Sequence, residues 1–195
     1  RGVPGTHDMQ LLQLTLDRLL QPAGAEAVAI PRFDKARDDR APRDAWDEVR
    51  GGVDMVLLEG WCMGATAQSA VALREPVNEL ERIEDAAGDW RAHVNGVLES
   101  EFPRLYRRVA QWVMLRAPSF DCVYRWRLEQ EQKLAATGRS GAGIMDAAGV
   151  RRFIQYYERL TRETLQHLPP RVHFTYTLGE DRQILAYRHR RRPAA

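Results

Sequence analysis

Hydrophobic positions in this chain fall into two patterns: short continuous apolar runs, and longer stripes at helical spacing. Asp54 to Gly64 reads Asp-Met-Val-Leu-Leu-Glu-Gly-Trp-Cys-Met-Gly, with the apolar run Met55 to Leu58 between a polar start and a Glu-Gly stop. That run predicts a short strand buried on both faces, as in a parallel sheet covered by helices. Ala27 to Ile30, stopped by Pro31, and Trp112 to Leu115, closed by Ala117-Pro118, predict two more. Val172 to Thr177 and Ile184 to Tyr187 alternate well enough for a terminal hairpin, with Gly179 in its turn.

The stripes predict helices. Met9, Leu12, Leu16 and Leu19 recur at helical spacing behind Asp8, a good N-cap, until Pro22 and Gly24 break the pattern. Trp46 to Val49 suggests a short helix, and Glu75 to Glu84 a polar helix or loop. Trp90, Val94, Val97 and Leu98 begin a stripe that runs on towards Tyr106, and another helix spans Asp121 to about Lys133. Asp146 caps the longest stripe, Val150, Phe153, Tyr157, Leu160, Thr164 and Leu168, which Pro169-Pro170 ends. Strands separated by helices give an α/β fold with a mainly parallel sheet flanked by helices. One domain over 1–187 is expected, with 188–195 a basic, solvated, disordered tail.

Composition narrows the function classes. A length of 195 residues with 44% hydrophobic and 29% charged residues suits one ordinary soluble domain. No apolar run is long enough to span a membrane, and no signal-peptide pattern is present, so a cytoplasmic protein is expected. The chain opens on Arg1 and a Gly- and Pro-rich turn segment, which reads as the later part of a longer protein. A balance of 29 basic and 27 acidic residues argues against nucleic-acid or membrane partners. Cys62 and Cys122 are too few for a disulfide framework or a zinc site and read as reduced core thiols. The only lysines are Lys35 and Lys133, and neither follows a glycine, so the chain holds no Gly-Lys-Ser/Thr phosphate loop.

Several segments carry chemistry. Ligands in parallel sheets bind beyond the carboxyl ends of strands, where Glu59 falls. A carboxylate there can hold or orient Mg²⁺ in phosphoryl transfer, or can cap the next helix or pair with an arginine. His7 and Asp8 sit at a helix start, where backbone N–H groups favour anions, although Asp8 also suits a plain N-cap. Arg37 to Arg40 are all charged, which fits either a solvated loop or an anion-binding loop. Ala135 to Ile144 is a small-residue, Gly-rich loop with the composition of a mobile lid.

Separated motifs resemble one family, the D-glycerate 3-kinases of the P-loop kinase superfamily, kin to phosphoribulokinase, uridine kinase and bacterial pantothenate kinase. They are Arg-Gly-Val-Pro-Gly-Thr-His-Asp at 1–8, Pro-Arg-Phe-Asp-Lys with Asp-Arg-Ala-Pro at 31–42, and Val-Leu-Leu-Glu-Gly-Trp-Cys-Met-Gly at 56–64. Further along are Gly-Asp-Trp-Arg-Ala-His-Val-Asn at 88–95, Trp-Arg-Leu-Glu-Gln-Glu-Gln-Lys-Leu at 126–134 and Phe-Ile-Gln-Tyr-Tyr-Glu-Arg-Leu-Thr at 153–161. Members of the family begin with a strand, a Walker A loop and an acidic strand that this sequence does not contain. The expected fold is therefore a P-loop NTPase-like fold truncated at its N-terminal side.

The resemblance implies an ATP-dependent small-molecule kinase, using ATP and Mg²⁺ to phosphorylate a hydroxyl of a small hydroxy acid, D-glycerate first among them. The 195 residues alone are not expected to be competent. It implies Glu59 for Mg²⁺ and hydroxyl orientation, and His7, Asp8, Lys35 and Arg40 for the substrate, whose carboxylate arginine reads bidentately. Arg127 and Lys133 fall where related kinases carry lid cations, although Arg127 can equally make a helix-surface ion pair with Glu131. A non-catalytic α/β relative that binds a partner or an anionic metabolite is the alternative.

Overall fold

A computed structural model describes residues 2–22, 26–34, 37, 39–50, 52–136 and 145–191. The chain divides into two compact units, one made largely of residues 6–61 and the other of residues 3–5 with 62–195.

The first unit opens with α1 (Met9–Leu19), which buries Met9, Leu16 and Leu19 on one stripe. Asp8 caps it by accepting a hydrogen bond from Leu11 N at 2.9 Å, and Arg18 in its last turn faces the negative end of the helix dipole. Four short strands follow: β1 (Val28–Ile30), β2 (Phe33–Asp34), β3 (Asp39–Arg40) and β4 (Asp47–Val49). Strands β1 and β4 pair antiparallel, Val28 opposite Val49, and β2 and β3 form a minimal hairpin, Phe33 opposite Arg40. Arg32 and Asp47 form an ion pair, and Trp46 Nε1 donates to Ala41 O at 2.8 Å.

Two predicted elements of this unit differ. Trp46 to Val49, expected to be helical, supplies strand β4 instead. Four residues are too short to hold a helical period, and pairing with the backbone of β1 decides their conformation. The predicted central strand at 55–58 has no ladder among the described residues. Met55 is 82% exposed and Leu57 88%, while Val56 and Leu58 are half-buried. An apolar run encodes a demand for burial but does not name its partner strand.

The second unit is built on α7 (Ala147–His167), capped by Asp146, whose side chain accepts from Gly149 N at 2.7 Å. Helix α6 (Phe120–Ala136) packs along it through Phe120, Val123, Val150 and Ile154, with Tyr124, Leu128, Met145 and Phe153 closing the cluster. The shorter helices are α2 (Ala70–Arg74), α3 (Glu79–Glu84), α4 (Asp89–Ser100) and α5 (Phe102–Tyr106). Strands β5 (Val113–Arg116), β6 (Phe174–Leu178) and β7 (Ile184–His189) form one sheet in the order β5-β6-β7. Met114, Leu168 and Val172 pack together beside this sheet.

Strands β5 and β6 run parallel, Val113 opposite Phe174, as a strand–helix–helix–strand crossover requires. Strands β6 and β7 form the predicted antiparallel hairpin, closed by Gly179 N donating to Gln183 O at 2.8 Å. Among the described residues β5–β6 is the one parallel pairing, so the sheet structure is mixed rather than mainly parallel. Strand pairing is a tertiary choice that apolar runs do not encode. The basic stretch begins inside a strand: Arg188 and His189 belong to β7, and the Arg188 and Arg190 guanidiniums donate to Pro169 O and Pro170 O at 2.6 and 2.9 Å. The ladder with β6 takes in only the first two residues of the stretch expected to be a tail, and 192–195 lie outside the described residues.

Buried charge in this unit is matched. Arg159 holds Glu81 through two contacts of 2.9 and 2.7 Å and donates to Glu75 O and Ala72 O. Arg91 pairs with Asp85 at 3.1 Å. Together they anchor the stretch around α2 onto α3, α4 and α7, by which each buried carboxylate and guanidinium keeps a partner.

Candidate functional site

Asp8 and Arg40, far apart in the chain, meet in the first unit. Asp8 Oδ1 caps α1 while Oδ2 lies 2.8 Å from Arg40 Nη2. The N-cap role of Asp8 is present, and its second oxygen carries an ion pair with Arg40. The Leu11 N–H, and after it the Arg40 guanidinium, lower the pKa of Asp8 below the ordinary carboxylate value. Arg40 Nη2 is committed to Asp8, and the Arg40 side chain remains about half exposed. Its backbone N donates to Asp39 Oδ1 at 2.6 Å, which fixes the strand that presents it. His7 is exposed beside the helix start. Lys35 lies outside the described residues.

Glu59 follows residues 54–58 outside any helix or strand and is exposed to solvent. It forms no ion pair or side-chain hydrogen bond with another described residue, and the first helix after it, α2, is capped by Ser69 instead. Among the described residues, then, Glu59 neither caps a helix nor pairs with an arginine. Beyond it the chain is held firmly: Tyr106 Oη donates to Ala65 O at 2.8 Å and accepts from Gly64 N at 3.1 Å. Gly64 adopts φ +87, and a Cβ there would meet Leu168 at 2.6 Å, so the turn after Glu59 requires glycine. Asn95 bonds both the N–H and the carbonyl of Gln68, at 2.7 and 3.1 Å.

The two candidate cations of the second unit both lie on α6. Arg127 Nη2 pairs with Glu131 at 2.5 Å, Nη1 donates to Gln130 at 3.0 Å, and the guanidinium carbon stands 5.3 Å from the Phe153 ring. Lys133 is exposed and pairs with Glu129, which also holds Arg182. Lys133 and then Arg182 keep the Glu129 carboxyl below its usual pKa. The ion pair of Arg127 with Glu131 anticipated from i,i+4 spacing is present. Its burial, and the reach of Glu131 to Met145 N at 3.0 Å, were not legible from spacing. The Gly-rich stretch expected to act as a lid, Ala135 to Ile144, lies mostly outside the described residues; its first two residues end α6.

Among the described residues no three of His, Cys, Asp and Glu gather to hold a metal. Mg²⁺ in phosphoryl-transfer sites takes one or two carboxylates and fills its other positions with phosphate oxygens and water. An exposed carboxylate without an ion-pair partner among the described residues, such as Glu59, fits that role. Cys62 and Cys122 are buried and unpaired with one another, and burial pushes the Cys62 thiol up to about 12, so it is an inert core group. No described helix is long and apolar enough to cross a membrane.

No family model matches the chain. It is 31% identical to a chloroplastic D-glycerate 3-kinase of Arabidopsis thaliana, over 72% of this chain and 30% of the relative. It is 28% identical to a Saccharomyces cerevisiae kinase, TDA10, whose name describes it as ATP-dependent, over 93% of this chain and 62% of that protein. The chain thus spans less than two thirds of both curated relatives. Among solved structures it is similar to a D-glycerate 3-kinase of Cryptococcus neoformans, with a TM-score of 0.78 and 25% identity, covering 97% of this chain and 69% of that one.

Proposed function

We infer the function of this chain from its place in the D-glycerate 3-kinase family, to which its sequence and fold relate it: it carries the acceptor side and the lid cations of an ATP-dependent small-molecule kinase. The reaction moves a γ-phosphoryl group to a hydroxyl of a small hydroxy acid, with D-glycerate the first candidate. The fold is read as a P-loop NTPase-like α/β fold. The observation that carries this reading is the match in fold along nearly the whole chain to a solved D-glycerate 3-kinase.

The residues divide the work. Arg40, with Lys35, binds the acceptor carboxylate, arginine through its planar fork and lysine as a point charge. Asp8, bonded to Arg40 and to the first turn of α1, fixes the direction of that fork, and His7 lies beside it at the substrate edge. Glu59, without an ion-pair partner among the described residues, orients the acceptor hydroxyl and takes its proton as the new P–O bond forms, the bond from the γ-phosphorus to the ADP oxygen breaks and ADP leaves. When bound, Mg·ATP supplies the phosphoryl group and the metal charge that offsets its negative oxygens. Glu59 would hold that metal, directly or through a water, and Arg127 and Lys133 would supply cations for the phosphate oxygens.

The test is a coupled ADP-release assay on the complete protein, with D-glycerate and a panel of hydroxy acids, sugars and nucleosides. Turnover with glycerate above the other acceptors is expected; turnover with none of them, or only with sugars or nucleosides, overturns the reading.

A further inference from the structure

The Arg127–Glu131 pair does more than a surface i,i+4 contact. Glu131 is only 3% exposed, and both of its carboxylate oxygens are engaged. One accepts from Arg127 Nη2 at 2.5 Å; the other accepts from Met145 N at 3.0 Å. The first partner lies one turn back on α6, and the second lies immediately before Asp146, the N-cap of α7. One buried carboxylate therefore ties together the two chain segments that flank residues 137–144.

Arg127 is held with unusual completeness on one side and incompletely on the other. Glu131, Gln130 and the Phe153 ring fix its terminal nitrogens and its plane. Its Nε is buried and, among the described residues, has no hydrogen-bond acceptor. A buried donor without an acceptor raises the energy of the state that contains it. The guanidinium is consequently oriented by its partners while one of its donors stays unsatisfied.

We propose that Glu131 is a positioning residue for the kinase reaction: it acts through Arg127 and the Met145 amide, setting the guanidinium that grips the nucleotide phosphates without touching them itself. This rests on the kinase reading, in which Arg127 is a phosphate-binding cation. A guanidinium aimed in advance loses less side-chain freedom on binding an anion than one that must be ordered on arrival. The benefit falls on nucleotide binding and leaves the acceptor site untouched.

The experiment uses the complete protein and measures KM for ATP and for glycerate, with kcat, in the wild type, Glu131→Gln, Arg127→Ala and the double variant. Glu131→Gln should raise KM for ATP about tenfold, the scale of one charge-assisted contact, with KM for glycerate unchanged. The double variant should be no worse than Arg127→Ala alone, because Glu131 has nothing left to position. It also removes the unpaired buried charge, so it remains informative if Glu131→Gln folds poorly. A Glu131→Gln enzyme with wild-type kinetics, equal effects on both substrates, or single effects that multiply in the double variant would each overturn the proposal while leaving the kinase reading intact. A wild-type protein with no ATP-dependent turnover overturns the kinase reading, and this inference with it.

Discussion

Asp8 Oδ2 lies 2.8 Å from Arg40 Nη2 while its other oxygen accepts the Leu11 N–H at 2.9 Å. One carboxylate thus starts the first helix and aims a cation delivered by a hairpin far along the chain. Helix formation and the orientation of the Arg40 guanidinium are coupled at this residue.

Asp8→Ala removes both bonds, and loss of the cap alone should cost about 1 kcal/mol of stability at neutral pH. The pKa of Asp8 is lowered in the folded state, first by the Leu11 amide and then by Arg40. Its contribution is therefore complete above the unfolded-state value and disappears as pH falls through the folded-state one. Melting curves of wild type and Asp8→Asn should differ at neutral pH and converge in acid below the ordinary carboxylate range. A gap that widens on acidification would contradict this assignment.

Arg40→Ala should raise KM for glycerate by about ten- to a hundredfold, the cost of one charge-assisted contact, while KM for ATP changes little. Steady-state kinetics with each substrate varied in turn check this. Equal effects on the two substrates would return Arg40 to the role of a surface partner of Asp8.

Glu59→Gln keeps side-chain volume and removes the charge. Since Glu59 has no ion-pair partner among the described residues, Tm should be unchanged or slightly higher. Its kcat should drop about a hundredfold or more, the range of a well-placed acid–base or electrostatic group. A folded, fully active variant would end the catalytic assignment.

Glu81→Ala is the opposite case. It leaves the buried Arg159 guanidinium without its carboxylate, and breaking such a pair costs about 3–5 kcal/mol. Denaturant unfolding should show that loss, with KM values of the remaining folded protein unchanged. Wild-type stability in the variant would mean that the carbonyls of Glu75 and Ala72 satisfy Arg159 by themselves.

The 195-residue chain by itself should bind Mg·ATP weakly, because backbone N–H groups and the lysine of a phosphate loop supply most of the grip on nucleotide phosphates. Titration calorimetry on this chain measures that directly. Tight binding would require another phosphate cradle within these residues.

Local chemistry was readable along the chain wherever a residue acts on its own neighbours. Asp8 and Asp146 announced helix starts because an N-cap bonds backbone three residues on, and both do so. The stripes of α1, α4 and α7 were legible because helical period and burial coincide over many residues. Gly179 marked its hairpin through its turn, and the i,i+4 spacing of Arg127 and Glu131 announced their ion pair.

Pairing over distance was not readable. Asp47–Val49 became a strand because β1 was available, whereas Met55 to Leu58, the more apolar run, formed no ladder. The same holds for Arg40 on Asp8, Arg159 on Glu81 and Glu131 on Met145 N, whose partners follow from how elements pack rather than from spacing. A side chain's type determines what it can bond, and helical or strand period determines which way it faces. Which backbone or charge stands opposite is decided only when the elements come together, because the energy of a ladder or a buried ion pair depends on a partner that the local sequence does not contain.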